Sequence, residues 1–374
     1  MSSAVPQIAL PAVPEVISEA LPEIMYAAVL YGQEDVRIEQ VPVPRAGPGE
    51  LIVRVSVALT CGTDLKVFRR GYHALMIQPP ALFGHELAGT VVELGEGVTA
   101  FELGDRVVPI NSAPCGHCYF CQRAQENLCE NLLFNNGAYA EFIRIPAEIV
   151  ARNTLRIPEN IALEHAALTE PLACALHGFE DSNPHPGDTV AVIGGGPLGL
   201  MILHVAALSG CRVIAVVKHD AQAQAAKALG AHEIVQTTQV EDAVQAVRAL
   251  TPDQRGQSRG VDIAIEAVAI PETWEQAVDM VRNGGTVNFF GGPETGTKVQ
   301  FDTNRLHYGD LTLKATFHHT PAICRRAFDL IASGKFQAHR FITGHSALSD
   351  LNQAFAQLLD RGSHNRIKTA ILPE

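Results

Sequence analysis

The chain has 374 residues, 47% hydrophobic and 18% charged, and 28 Lys and Arg against 40 Asp and Glu leave a net charge of −12. That length suits two packed domains, and the acidic balance without any basic run argues against a nucleic-acid partner. No stretch of about 18 apolar residues occurs, so a soluble, cytoplasmic protein without a membrane partner is expected.

Residues 1–24 read as an N-terminal extension. Pro6, Pro11, Pro14 and Pro22 interrupt any long helix, and no Lys or Arg is present to start a signal peptide. From Tyr26 to about Pro146, short β runs broken by Gly and Pro predict a β-rich unit, with strands at Leu51–Leu59, Leu87–Leu94 and Arg106–Ile110. Cys61-Gly62-Thr63-Asp64 follows the first of these runs, and Gly84-His85-Glu86 opens the second. Each is bland alone, because a single His beside a Glu is more often a satisfied or surface residue than a ligand.

Cys115, Cys118, Cys121 and Cys129 place four thiols within fifteen residues. Four thiolates so spaced can close a tetrahedral zinc shell, and a closed shell has no position for substrate, so the site would be structural. Free thiols and a nucleic-acid zinc ribbon are the alternatives; the tight spacing and the missing basic residues speak against them. Cys174, Cys211 and Cys324 are expected to be buried apolar residues.

From about Asp188, apolar strands alternate with Ala-rich helices, the pattern of parallel βαβ units. Strands are predicted at Thr189–Ile193, Arg212–Val217, Val261–Ala267 and Thr286–Phe290, with helices at Pro197–Ser209, Ala221–Leu229 and Pro271–Arg282. Gly194-Gly195-Gly196-Pro197-Leu198-Gly199 lies between the first strand and first helix. Such a turn lets the backbone approach a pyrophosphate, and the helix N-terminus favours its charge. The motif is weak alone; its strand-to-helix context separates it from a chance glycine turn. Two more helices are expected near Pro321–Ser333 and Leu348–Asp360.

Taken together, Cys61-Gly-Thr-Asp, Gly84-His-Glu, the four-cysteine lobe, Glu170-Pro-Leu and the glycine turn resemble the zinc-containing medium-chain dehydrogenases, in particular the polyol (sorbitol-like) and threonine dehydrogenase group. The resemblance runs from Tyr26 to the C-terminus. It implies an α/β fold in which a β-rich GroES-like catalytic domain, residues 25–180 and 316–374, joins a Rossmann dinucleotide-binding domain at 181–315. It implies hydride transfer between an alcohol or polyol and NAD(P), two zinc ions per chain, and a homo-oligomer, dimer or tetramer.

Residue by residue, the resemblance makes Cys61 and His85 ligands of a catalytic zinc, with Glu86 close to the metal. Glu170 stands where the polyol group keeps a glutamate and simple alcohol dehydrogenases a third cysteine, which with Glu86 makes it a further expected donor at the catalytic zinc. Thr63 matches the group that takes the substrate proton, and Lys66 occupies the place of a relay histidine. His318 and His319 replace an Arg-Tyr pair near the substrate; a purely local hydrogen-bonding role for them is the alternative. For the dinucleotide it implies Gly194, Gly196, Pro197, Leu198 and Gly199, with Phe290 and Gly291 at a later strand end. Val217 falls where NAD-using relatives carry an acid, and Lys218 and His219 follow it, so NADP is favoured over NAD. Gln222 replaces an arginine that often covers the adenine. Asp220 is expected to cap the next helix, the alternative being that it supplies the missing acid. Two other readings, a non-catalytic dinucleotide-binding protein and a zinc-free reductase of the same superfamily, are disfavoured by the donor residues.

Overall fold

The computed structural model describes residues 21–73, 75–360 and 366–373. Residues 1–20 of the N-terminal extension lie outside the described residues, and Ile24, read as its last residue, already opens a strand, Ile24–Gly32.

The N-terminal half folds around a mixed sheet in which strand β1 (Leu51–Leu59) pairs antiparallel with β2 (Glu86–Leu94). The alternation of Val, Ile and Leu along β1 buries it on both sides, so it lies inside the sheet and not at an edge. The chain returns here at its far end: β10 (Lys368–Leu372) pairs with β1, and β9 (Ile342–Ala347) lies parallel to β10. Helix α1 (Gly62–Arg70) follows β1 directly and ends on Gly71 in the left-handed conformation.

The second unit is a six-stranded parallel sheet. Its strands are β3 (Thr189–Ile193), β4 (Arg212–Val217), β5 (Glu233–Gln236), β6 (Val261–Glu266), β7 (Val281–Phe289) and β8 (Thr312–Ala315). Their spatial order is β5-β4-β3-β6-β7-β8, so the order reverses between β3 and β6. That reversal is where an open α/β sheet leaves a crevice at its strand ends. Continuous apolar runs such as Thr-Val-Ala-Val-Ile in β3 follow from helices covering both faces. Helices α3 (Pro197–Leu208) and α4 (Asp220–Ala228) connect the first strands. The predicted strands and helices are all present, with shifts of a few residues at their ends; the largest is β7, which begins at Val281, five residues before the predicted start.

Helix α2 (Thr169–Glu180) packs on α3 and on α5 (Pro321–Ala332), so one apolar core runs from Leu59 and Leu172 through Leu200 to Cys324 and Phe341. The two units are thereby set against each other, and α2 carries side chains from that core towards the space between them.

Candidate active site

Cys61 ends the β1 segment and caps α1, its sulfur accepting the Thr63 N–H at 3.4 Å. Asp64, three residues on, is 2% exposed and serves both metal-type donors. Its Oδ2 accepts the Cys61 N–H at 3.1 Å and the Tyr139 hydroxyl at 2.5 Å, while Oδ1 lies 2.9 Å from His85 Nδ1. A carboxylate on Nδ1 leaves Nε2 of His85 to face an ion, the arrangement that orients ligating histidines. Gly84, at φ 87°, lets the loop close over Tyr139: a Cβ there would lie 2.6 Å from its ring.

Glu86 points inward from the start of β2 and is matched by Lys368 of β10. The lysine Nζ lies 2.8 and 2.5 Å from the two carboxylate oxygens and 2.9 Å from the Thr60 carbonyl, satisfying all three of its protons in a fully buried position. Burial pushes the Glu86 carboxyl up to about 7 against the opposing pull of Lys368, and Glu170 adds to the rise. Cys61, His85 and Glu86 bring one donor atom each within 4.8 Å of one another.

Glu170 sits in the first turn of α2, among neighbours other than the sequence suggests. Its Oε1 is 3.5 Å from His319 Nε2 and 3.5 Å from Cys174 Sγ. Cys324 is fully buried in the apolar core, as expected, whereas Cys174, expected to be buried, is only partly so. Cys174, four residues after Glu170, shares its helix face, and Cys324 Sγ lies 3.2 Å from His319 Nδ1. Cys211 is buried, as expected. Burial alone would raise Glu170, but the hydrogen bond and charge of His319 bring it down to about 2. Ser112 Oγ contacts His318 Nε2 at 2.6 Å, so both histidines are turned inward.

The four lobe cysteines are free thiols with sulfurs 3.5 Å (Cys118–Cys121), 3.8 Å (Cys118–Cys129) and 4.0 Å (Cys115–Cys121) apart. Zinc–sulfur bonds of about 2.3 Å give tetrahedral edges near 3.8 Å, so the set fits a zinc ion. The backbone N–H of His117 holds the Cys115 thiol down to about 6, favouring the thiolate a metal needs.

An open cleft connects Cys61 to the glycine turn, with Gly195, Gly196 and Pro197 on one wall. Gly199 is required because a Cβ there would fall 2.0 Å from the Gly194 carbonyl. Gln222 lines the same cleft and accepts the N–H groups of Lys218 (3.1 Å) and His219 (3.2 Å). His219, not Asp220, is the N-cap of α4. Asp220 lies inside the first turn with its carboxylate taking the Gln236 amide at 2.7 Å, which corrects the capping expectation. Val217 is buried at the end of β4, and Lys218 is exposed. Lys66 reaches across the cleft to the Gly292 carbonyl at 3.1 Å. Phe290 packs over Gly178, and Gly291 lies against Glu266. Asp64, Tyr139, Lys368 and Arg366 of the cleft were not singled out from sequence; only Asp64 carried a signal, its place in Cys61-Gly-Thr-Asp.

A parallel sheet of this strand order beside a Cys-His-Glu donor set is the arrangement of a metal-dependent dehydrogenase that binds its dinucleotide at the switch point. Residues 47–158 match the alcohol dehydrogenase GroES-like domain and residues 197–333 the zinc-binding dehydrogenase domain. An L-threonine 3-dehydrogenase of Pyrococcus abyssi is 32% identical over 92% of this chain and 97% of its own length. The sorbitol dehydrogenase of Bacillus subtilis is 28% identical over 90% and 94%. A Sinorhizobium meliloti protein assigned as a zinc-binding dehydrogenase, solved bound to NADP, superposes with a TM-score of 0.84 at 30% identity, covering 94% of this chain and all of that one. The chain belongs to the zinc-dependent medium-chain dehydrogenases, in the polyol and threonine dehydrogenase group, and is an NAD(P)-dependent oxidoreductase.

Proposed function

We propose that this enzyme oxidises a polyol or related secondary alcohol, or reduces the corresponding ketone, with NADP preferred and with two zinc ions of separate roles. The observation that carries the reading is the set of Cys61, on the cleft wall, with buried His85 and Glu86 behind it and Glu170 nearby, at one end of the cleft whose other end is the glycine turn. Three protein donors leave a position for a substrate hydroxyl, and zinc there would lower that hydroxyl's pKa and stabilise the alkoxide. Thr63, two residues after Cys61, would receive the proton, and His318 and His319 would meet the rest of the substrate. Cys115, Cys118, Cys121 and Cys129 would hold the structural zinc.

Residues 25–180 and 316–374 act as the catalytic unit and 181–315 as the nucleotide unit. NADP is supported by Val217 at the strand end, by the exposed Lys218 beside it, and by the engagement of Asp220 with Gln236. Arg366 lines the same cleft, its guanidinium donating to the Thr343 carbonyl at one nitrogen, and its charge suits a phosphate. The exposed edge strand β8 suits pairing with a second copy, supporting a homo-oligomer. Eight unpaired cysteines suit a cytoplasmic setting; among the described residues no helix is long and apolar enough to cross a membrane.

Steady-state kinetics on a polyol panel with each cofactor, for wild type and Val217→Asp, test the reading. Wild type should favour NADP and the variant should shift towards NAD. A wild type that strongly prefers NAD, with NADP use indifferent to Lys218→Ala, refutes the cofactor assignment.

A further inference from the structure

We propose that Glu170, Cys174, His318 and His319 form a second, closed site for a thiolate-accepting divalent cation such as zinc, beside the catalytic pocket and in competition with it for Glu170. The four side chains offer one carboxylate oxygen, one sulfur and two imidazole nitrogens, all within 4.8 Å of one another. Tetrahedral zinc, with bonds of about 2.0–2.3 Å, sets its donors roughly 3.3–3.8 Å apart. Two edges already have that length: Cys174 Sγ to Glu170 Oε1 and Glu170 Oε1 to His319 Nε2, both 3.5 Å. A mixed sulfur, nitrogen and oxygen set favours zinc or cobalt(II) over magnesium or calcium, which take oxygen donors.

The backbone is shaped for this convergence. Consecutive side chains of an extended segment point to opposite sides, yet the rings of His318 and His319 lie side by side, tilted by 31° with centroids 3.8 Å apart. The reason is His318 itself, at φ 61°, a left-handed conformation that a residue with a side chain seldom adopts. Two side chains pin it there: His177 Nδ1 meets the His318 carbonyl at 2.8 Å, and Asn127 Nδ2 donates to the Phe317 carbonyl at 3.0 Å. Ser112 Oγ holds His318 Nε2 and Cys324 Sγ holds His319 Nδ1, which leaves His318 Nδ1 for an ion, while His319 Nε2, 3.4 Å from Asn111 Oδ1 and 3.5 Å from Glu170 Oε1, would exchange its Asn111 contact for the ion. Such partners fix the tautomer of ligating histidines.

Four protein donors leave no open position, so an ion here does no chemistry on a substrate. It would instead hold Glu170 away from Cys61 and His85 and occupy the space between the histidines, which makes it inhibitory. The inference extends the two-zinc reading without depending on it.

The test is a cobalt(II) titration of the full chain, counting bound metal by equilibrium dialysis for wild type, Cys174→Ala and His318→Asn. Wild type should bind one more equivalent than either variant, with sulfur-to-cobalt charge-transfer absorbance exceeding that of Cys174→Ala by the contribution of one thiolate. The difference reads the proposed site whether or not the other two fill, so its failure is distinct from failure of the two-zinc reading. Circular dichroism checks that the variants are folded, and His318→Asn supplies the answer should Cys174→Ala not fold. Equal counts in the folded proteins overturn the site. Excess zinc should lower turnover of wild type but not through this site in Cys174→Ala; a difference in counts without any difference in inhibition overturns the inhibitory role.

Discussion

Replacing Lys368 by Met tests a fully buried charge pair. Lys368 is 1% exposed and its ammonium is divided between both oxygens of Glu86 and the Thr60 carbonyl, so nothing solvates Glu86 once the lysine is gone. Removing one partner of a buried ion pair costs about 3–5 kcal/mol, because the remaining charge stays desolvated. On metal-stripped protein this should lower the unfolding temperature by on the order of 10 °C, followed by calorimetry. Glu86 can reduce the cost by taking up a proton. Its carboxyl in the folded protein already stands at about 7, above its ordinary 4.5, so folding binds a proton and stability falls as pH rises from 4.5 through 7. Without Lys368 the folded value rises further, and the falling window extends upward. The deficit of Lys368→Met should therefore be small near pH 6 and open above about pH 7. Adding Glu86→Gln should restore much of the loss, since the uncompensated charge disappears. A deficit that is the same from about pH 6 to about pH 9, or unrelieved by Glu86→Gln, refutes the pairing argument.

Asp64→Asn should weaken zinc retention at the Cys61 and His85 site by about 10- to 100-fold, measured by chelator competition, while the lobe zinc is unaffected, because Asp64 holds both donors. Cys61→Ala should abolish turnover with the fold retained, whereas Cys118→Ala should lower stability or disturb assembly; metal analysis showing a single zinc in fully loaded wild type would contradict two separable sites. His204 is buried against Phe336 and Phe341, its Nδ1 2.9 Å from the Leu229 carbonyl and its Nε2 accepting the Gln337 N–H. Burial lowers its pKa despite the Leu229 bond, so its contribution is present above the ordinary histidine range and is lost as pH falls through the lowered value. Melting temperature should fall more steeply on acidification in wild type than in His204→Gln, and parallel curves would remove His204 from the acid response.

The positions of Glu170, Cys174 and Cys324 show where reading along the chain fell short. Cys174 is expected from sequence to be a buried apolar residue, yet its place four residues after Glu170 brings its sulfur onto the same face of α2. Cys324 comes from a helix some 150 residues away in the chain, packed on α2, and no local pattern announces its contact with His319. The histidine pair reads from sequence as a departure from Arg-Tyr, but the close approach of its rings follows from a left-handed residue that carries no glycine to mark it.

What the sequence alone determined is whatever depends on short-range spacing. Period and composition set the strands and helices, the glycine turn follows from its place between β3 and α3, and the four-cysteine lobe closes on itself within fifteen residues. Tertiary structure decided the rest, because it depends on where distant segments meet. Lys368 reaches Glu86 only because β10 pairs with β1, Tyr139 reaches Asp64 only because a loop passes under Gly84, and Glu170 takes its neighbours from α2 and α5. Buried polar groups need partners, and the sequence names those groups without saying which distant residue the packed core will bring to them.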